Sequence, residues 1–252
     1  MKTILEFPDD IRPDFMGFSP SAFKFLADLR NSNERTWFKT QKTIYDLDVK
    51  FTMECLLAEF SDARRPTGFP VQGDPKRGAF RIYRDVRFSK NKNPYKTHAG
   101  AVMTRSGSKG DPGLIYVHIE PGQCFLSAGF YSPTREFLAA WRTRIATKPD
   151  HFLEMIEEFV KPRSKYYLRR RATLKTMPRG FQQYAESPVA DYLKFKNFLV
   201  GRKITDKQAQ SRKLLDLIAD FGKTTHQILA LVWEVHETAY EDDPRKHMRS
   251  KV

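Results

Sequence analysis

Cysteine is nearly missing from this chain: Cys55 and Cys124 are the only two in 252 residues. Two thiols build no disulfide framework, and neither has the close second cysteine of a structural zinc motif. A reducing cytoplasm is the expected location. Long apolar runs are lacking as well. The opening MKTILEFPDD is too short in apolar residues for a secretory leader, and nothing later approaches the ~20 needed to span a membrane, so no membrane partner is expected. There is no Walker-type glycine loop and no dinucleotide fingerprint after a strand, so no cofactor is expected and any nucleotide would be bound in an uncommon way.

Acid is the scarce charge. Lys and Arg number 44 against 30 Asp and Glu, a net +14. The excess is concentrated: residues 81–98 hold six Lys/Arg and one Asp, and residues 161–175 hold seven and no acid. Such clustering points to an anionic ligand, whether nucleotide, nucleic acid or small phosphorylated molecule; the competing reading is a solvated charged surface. The remaining composition, 40% hydrophobic and 13% aromatic, is ample for a packed core. With no repeat, low-complexity tract or clear linker, residues 1–252 are expected to form a single domain.

The most informative stretch is RIYRDVRFSKNKNPYKTH, Arg81 to His98. Alternation predicts a strand with Phe80, Ile82, Val86 and Phe88 on one face and Arg81, Tyr83, Asp85 and Arg87 on the other. Arg84 interrupts the apolar face, so it should be buried against a carboxylate, with Glu120 the first choice. Arg81 and Arg87 would lie about 20 Å apart on a straight strand, too far to share one phosphate. The expected focus is therefore Arg84 to Tyr95, with Pro94 and the Asn-rich turn folding the lysines back. The predicted ligand-binding set is Arg81, Arg84, Asp85, Arg87, Lys92, Tyr95 and Lys96, whose many donors and few acceptors suit phosphate or carboxylate.

This stretch resembles the uncharacterised, mainly bacterial family numbered 2461 among the domains of unknown function. The hallmark is an Arg-x-x-Arg-Asp-x-Arg-Phe run followed by Lys and Tyr, matched here by Arg81, Arg84, Asp85, Arg87, Phe88, Lys92 and Tyr95. NSNERTWF at Asn31–Phe38, HIEPG at His118–Gly122 and MPRGF at Met177–Phe181 extend the resemblance over nearly the whole chain. Many members have Asp where this chain has Asn91, which argues against an essential carboxylate there. The resemblance implies a single structural unit and no established activity.

Along the chain, Ser19 should cap a helix begun by Pro20 and carrying Phe23, Leu26 and Leu29 on one stripe. A longer helix, capped by Asn33, should run through Trp37, Phe38, Ile44, Phe51 and Leu56. Residues 62–78 read as a loop. Ala99 to Thr104 should be a strand, followed by a mobile loop at Ser106 to Gly113. Ile115, Val117 and Ile119 alternate with Tyr116, His118 and Glu120, so one strand face is apolar and the other titratable. Glu120-Pro121-Gly122-Gln123 fits a type II turn into a return strand, Cys124 to Phe130. Helices should follow from Ser132-Pro133 and from Asp150 as cap, then a short one at Ser187-Pro188, a strand near 196–204 and two amphipathic helices to close. Strands clustered at 79–130 between helical ends predict an α+β fold: a mainly antiparallel central sheet covered by N- and C-terminal helices.

Two functions from different classes fit these residues. The first is an anion-binding protein recognising phosphate groups of a nucleotide or nucleic acid. The second is a cytoplasmic enzyme acting on a phosphorylated or carboxylated small molecule, with Asp85 or Glu120 as base and Tyr95 or His118 as proton donor. Ser89 and Lys92 satisfy Ser-x-x-Lys, but in a polar loop rather than on the helix that spacing requires. His98, His118, Cys124 and Asp85 carry metal-ligating groups without any familiar close pair, so no metal is expected.

Overall fold

The computed structural model describes residues 12–64, 70–169 and 172–240. The N-terminal MKTILEFPDD, part of the 62–78 loop, and Arg170 and Arg171 of the second basic cluster lie outside them. The chain is α+β, and its described residues hold six strands in one antiparallel sheet in the order β1-β2-β3-β4-β6-β5. These are β1 (Gln72–Gly73), β2 (Ala99–Thr104), β3 (Leu114–Ile119), β4 (Phe125–Phe130), β5 (Tyr166–Leu168) and β6 (Phe198–Lys203). The described residues form two compact units: one comprises those up to Lys109 with Tyr116–Phe125 and Ile204–Ala219, the other those within Gly110–Ile115 and Leu126–Lys203 and from Asp220 onward.

In the first unit, helix α1 (Pro20–Asn31) starts as expected: the Ser19 hydroxyl accepts from the Ala22 N–H at 3.0 Å and proline occupies the first turn. Phe23, Phe25, Leu26 and Leu29 are its buried face. The next helical run is interrupted. It comprises α2 (Arg35–Thr40), α3 (Lys42–Ile44), a π-helical stretch Tyr45–Phe51 and α4 (Thr52–Arg64). Asn33 does not cap α2; Glu34 holds that position without a side-chain bond. The Glu120–Gln123 turn forms as predicted, with Gln123 N–H donating to the Glu120 carbonyl at 2.8 Å and Gly122 at φ 76°, a conformation that glycine adopts without penalty. A short helix, α8 (Asp206–Ala209), follows β6 with a full capping box from Thr205 and Gln208.

The second unit packs α5 (Arg135–Thr147), α6 (Pro149–Val160) and the short α7 (Ala190–Leu193) around Trp141, whose ring meets Phe130, Phe152 and Phe198 at 5.0, 6.1 and 5.4 Å. Helix α5 begins three residues after Ser132 because Thr134 takes the cap, accepting from Phe137 N–H. Asp150 lies inside the first turn of α6 rather than capping it, since Pro149 starts the helix one residue earlier.

Two further expectations are overturned. The two closing helices are one 27-residue helix, α9 (Leu214–Tyr240). Gly222 costs only about 1 kcal/mol mid-helix, and the buried Phe221, Thr225, Ile228 and Val232 carry one stripe through it. The strand expected over 79–88 is reduced to isolated bridges, Ala79↔Ala101 and Tyr83↔Tyr95. Arg84 N–H donates to the Pro94 carbonyl at 2.9 Å and Lys96 N–H to the Ile82 carbonyl at 2.8 Å, so this part of the chain pairs with itself. Asp85 Oδ1 then accepts from Arg87 N–H and turns the backbone, which leaves Phe88 97% exposed instead of on a buried face.

Candidate functional site

The predicted focus at Arg84–Tyr95 spends its polar groups internally. Arg84 is half-buried and donates to the Asn93 carbonyl (2.9 Å) and the Ser89 hydroxyl (3.4 Å). It does not meet Glu120. The turn at 85–88 takes Arg84 off the line of an extended strand, and a carbonyl satisfies the guanidinium without a buried carboxylate. Asp85 and Arg87 form an exposed two-point pair at 3.0 and 2.7 Å. The Arg87 donor holds the Asp85 carboxyl below its ordinary value. Lys92 donates to the Val86 carbonyl at 3.1 Å, and Asn91 accepts from Asn93 N–H at 2.9 Å. The Tyr95 ring is buried and stacked on Phe38 with centroids 4.1 Å apart, and burial raises its phenol.

A second assembly forms at the end of β3, where period-two geometry puts Tyr116 and His118 on one face and Glu120 follows directly after the strand. Tyr116 Oη lies 2.9 Å from His118 Nδ1, and His118 Nε2 lies 3.0 Å from Glu120 Oε2. With the proton on Nε2, Tyr116 donates to the ring and the ring donates to the carboxylate. The other carboxylate oxygen accepts from Thr97 Oγ1 at 3.0 Å and from Arg30 at 3.2 Å. Phe125 stacks on one side of His118 at 4.4 Å, and the His98 ring lies 4.2 Å from it. Burial, with His118 acting in the same direction, pushes His98 down to about 4. Burial raises the Glu120 carboxyl, but hydrogen bonds from His118 and Thr97 outweigh it and hold the group below its ordinary value.

Gly100 on β2 makes this arrangement possible. A Cβ there would sit 2.5 Å from Tyr116 Oη and 2.9 Å from the ring, so only glycine lets the phenol lie across the strand towards His118. His98, His118 and Glu120 present donor atoms all within 4.8 Å of one another. Cys124 and Asp85, the other ligand types noted in the sequence, are elsewhere: Cys124 Sγ donates to the Glu120 carbonyl, and burial pushes its thiol up to about 12.

Beside this face is a group of cations around Phe80. The Lys96 and Lys109 ammoniums each lie 5.4 Å from the Phe80 centroid, and Tyr116 meets the same ring edge-on at 6.0 Å. Lys96 donates to the Arg81 carbonyl at 2.8 Å. Burial, then the charges of Arg81 and Lys109, lower the Lys96 ammonium. The Arg81 guanidinium has no ion pair among the described residues. Of the predicted set, Arg81 and Lys96 are thus brought together, while Arg84, Asp85, Arg87 and Lys92 close the neighbouring loop. Lys109 and Gly100 escaped sequence reasoning, because nothing local marks a loop lysine or a strand glycine as part of a distant cluster. In the second basic segment, Lys161 pairs with Glu158 and Lys165 lies over the Tyr166 ring at 5.2 Å.

An α+β chain with a titratable strand face beside a cation cluster is what fold and site define. It belongs to the family of conserved hypothetical proteins DUF2461, whose model matches residues 21–230. No curated protein and no solved structure matches the chain. Among the described residues no helix is long and apolar enough to cross a membrane.

Proposed function

We propose that this protein binds a phosphate-bearing ligand, a nucleotide or other phosphorylated small molecule, at Arg81, Lys96 and Lys109 beside Phe80. The observation that carries this reading is the position of Lys96: partly buried, it feels the charges of two cations, Arg81 and Lys109, and its hydrogen bond goes to a carbonyl. A phosphate there would relieve the repulsion and accept charge-assisted bonds from three side chains. Binding of pyrophosphate and of AMP, measured by calorimetry at low salt, tests it. Lys96→Ala and Arg81→Ala should each weaken binding about 10-fold or more, and Arg87→Ala should not. An oligonucleotide arm separates nucleic acid from small ligands: log affinity should fall with log salt by about 0.7 per phosphate contacted on single strands. Equal affinity of wild type and Lys96→Ala for every probe would reject the reading.

A second reading rests on the Tyr116–His118–Glu120 chain. A carboxylate bonded to an imidazole beside an anion site suits proton transfer, with Glu120 as base or His118 as donor to a bound phosphorylated or carboxylated substrate. Turnover of such a substrate, lost in His118→Gln with its binding retained, is the expected signature.

A further inference from the structure

We propose that His98, His118 and Glu120 form a binding site for a first-row divalent cation, with zinc the best suited. This goes beyond the phosphate reading and does not depend on it. Two imidazoles and a carboxylate, with donor atoms within 4.8 Å, are a ligand set that zinc accepts while keeping a coordination position open.

Geometry supports the assignment at each ligand. Metal bonds of about 2.0–2.1 Å in a tetrahedral shell place neighbouring donor atoms roughly 3.3 Å apart. His118 Nε2 and Glu120 Oε2 are 3.0 Å apart already, so a small opening admits the ion in place of the shared proton. The third ligand is at hand. Neither His98 nitrogen has a hydrogen-bond partner among the described residues, and its ring lies against that of His118.

The groups behind the ligands are those a metal site requires. A metal-bound imidazole needs its other nitrogen held, and Tyr116 Oη is 2.9 Å from His118 Nδ1. The switch to a metal-binding ring needs only the other tautomer, with Nδ1–H donating to the tyrosine oxygen. A ligating carboxylate needs its second oxygen bonded, and Thr97 and Arg30 do so at Glu120 Oε1. No familiar zinc motif marks the site, because His118 and Glu120 are two apart at the end of β3, whereas common zinc pairs sit on helices or tight turns, and His98 comes from the bend just before β2.

The test is a Co2+ titration of the full-length protein after chelator treatment, followed by visible absorption and displacement with Zn2+. One equivalent should bind with the bands of a four- or five-coordinate nitrogen and oxygen site. His98→Ala and Glu120→Gln should each weaken binding by about 100-fold or more and abolish the bands. His151→Gln, an exposed position on α6, should leave both unchanged. Tyr116→Phe should weaken binding about 10-fold and keep the spectrum, which a fortuitous surface site would not show. Glu120→Gln preserves shape, and unchanged circular dichroism separates loss of a ligand from loss of the fold. Absence of stoichiometric binding would overturn the proposal, as would unaltered affinity and spectrum in His98→Ala and Glu120→Gln. Phosphate binding is measured separately on metal-free protein with Lys96→Ala, so the failure of either proposal is recognised by itself.

Discussion

Asn33 grips the backbone of Tyr95 at two points, 62 positions along the chain: its Nδ2 donates to the Tyr95 carbonyl at 3.1 Å, and its Oδ1 accepts from the Tyr95 N–H at 3.0 Å. This is the pairing of a β-ladder made by one side-chain amide. It ties the α1–α2 connection to the segment that presents Lys96, Thr97 and His98, and it explains why the asparagine is not used as a helix cap.

Asn33→Ala removes both bonds and leaves two partly buried backbone groups unpaired. Urea denaturation should show a loss of about 2–3 kcal/mol. Asn33→Asp keeps the acceptor but sets a carboxylate against the Tyr95 carbonyl, so it should not restore stability.

Gly100→Ala should displace the Tyr116 phenol, since the new methyl would meet it at 2.5 Å. The expected cost is about 1–3 kcal/mol. Side-chain NMR should show the His118 resonances changed, and an unchanged His118 would contradict the packing described.

Arg84→Met should destabilise modestly, by about 1–2 kcal/mol, because the bonds lost go to a carbonyl and a hydroxyl. A buried ion pair would have cost more, about 3–5 kcal/mol on losing one partner. Chemical denaturation distinguishes the two.

Tyr45 supplies an alkaline signature. Burial, reinforced by Asp46, pushes its phenol up to about 12 from the ordinary 10.0. The folded state therefore retains a proton that the unfolded chain gives up. Its contribution to stability is complete below pH 10 and disappears as pH rises towards 12. Ultraviolet titration should show a late-titrating phenol near pH 12 that is lost in Tyr45→Phe, and stability of the wild type should fall more steeply over this range than that of the variant.

We further propose that the chain unfolds as a single domain. Each compact unit is built from separate stretches of sequence, and α9 contributes to both. Scanning calorimetry should give one transition with equal calorimetric and van't Hoff enthalpies; two resolved transitions would refute this.

What the sequence determined by itself was local. Ser19-Pro20 set a helix start through cap chemistry, Pro121-Gly122 set a turn through allowed φ, and the alternation at 115–120 put Tyr116, His118 and Glu120 on one face. Each depends on residues within a few positions. The partners of those residues were decided only by tertiary structure. Arg84 was read as a buried ion-pair member, yet a carbonyl nine residues on satisfies it. Glu120 received Arg30, 90 residues earlier, and Lys96 and Lys109 came to the same aromatic ring. Hydrogen bonds and charge contacts act over a few ångströms, and only the folded backbone decides which distant side chains come within that range.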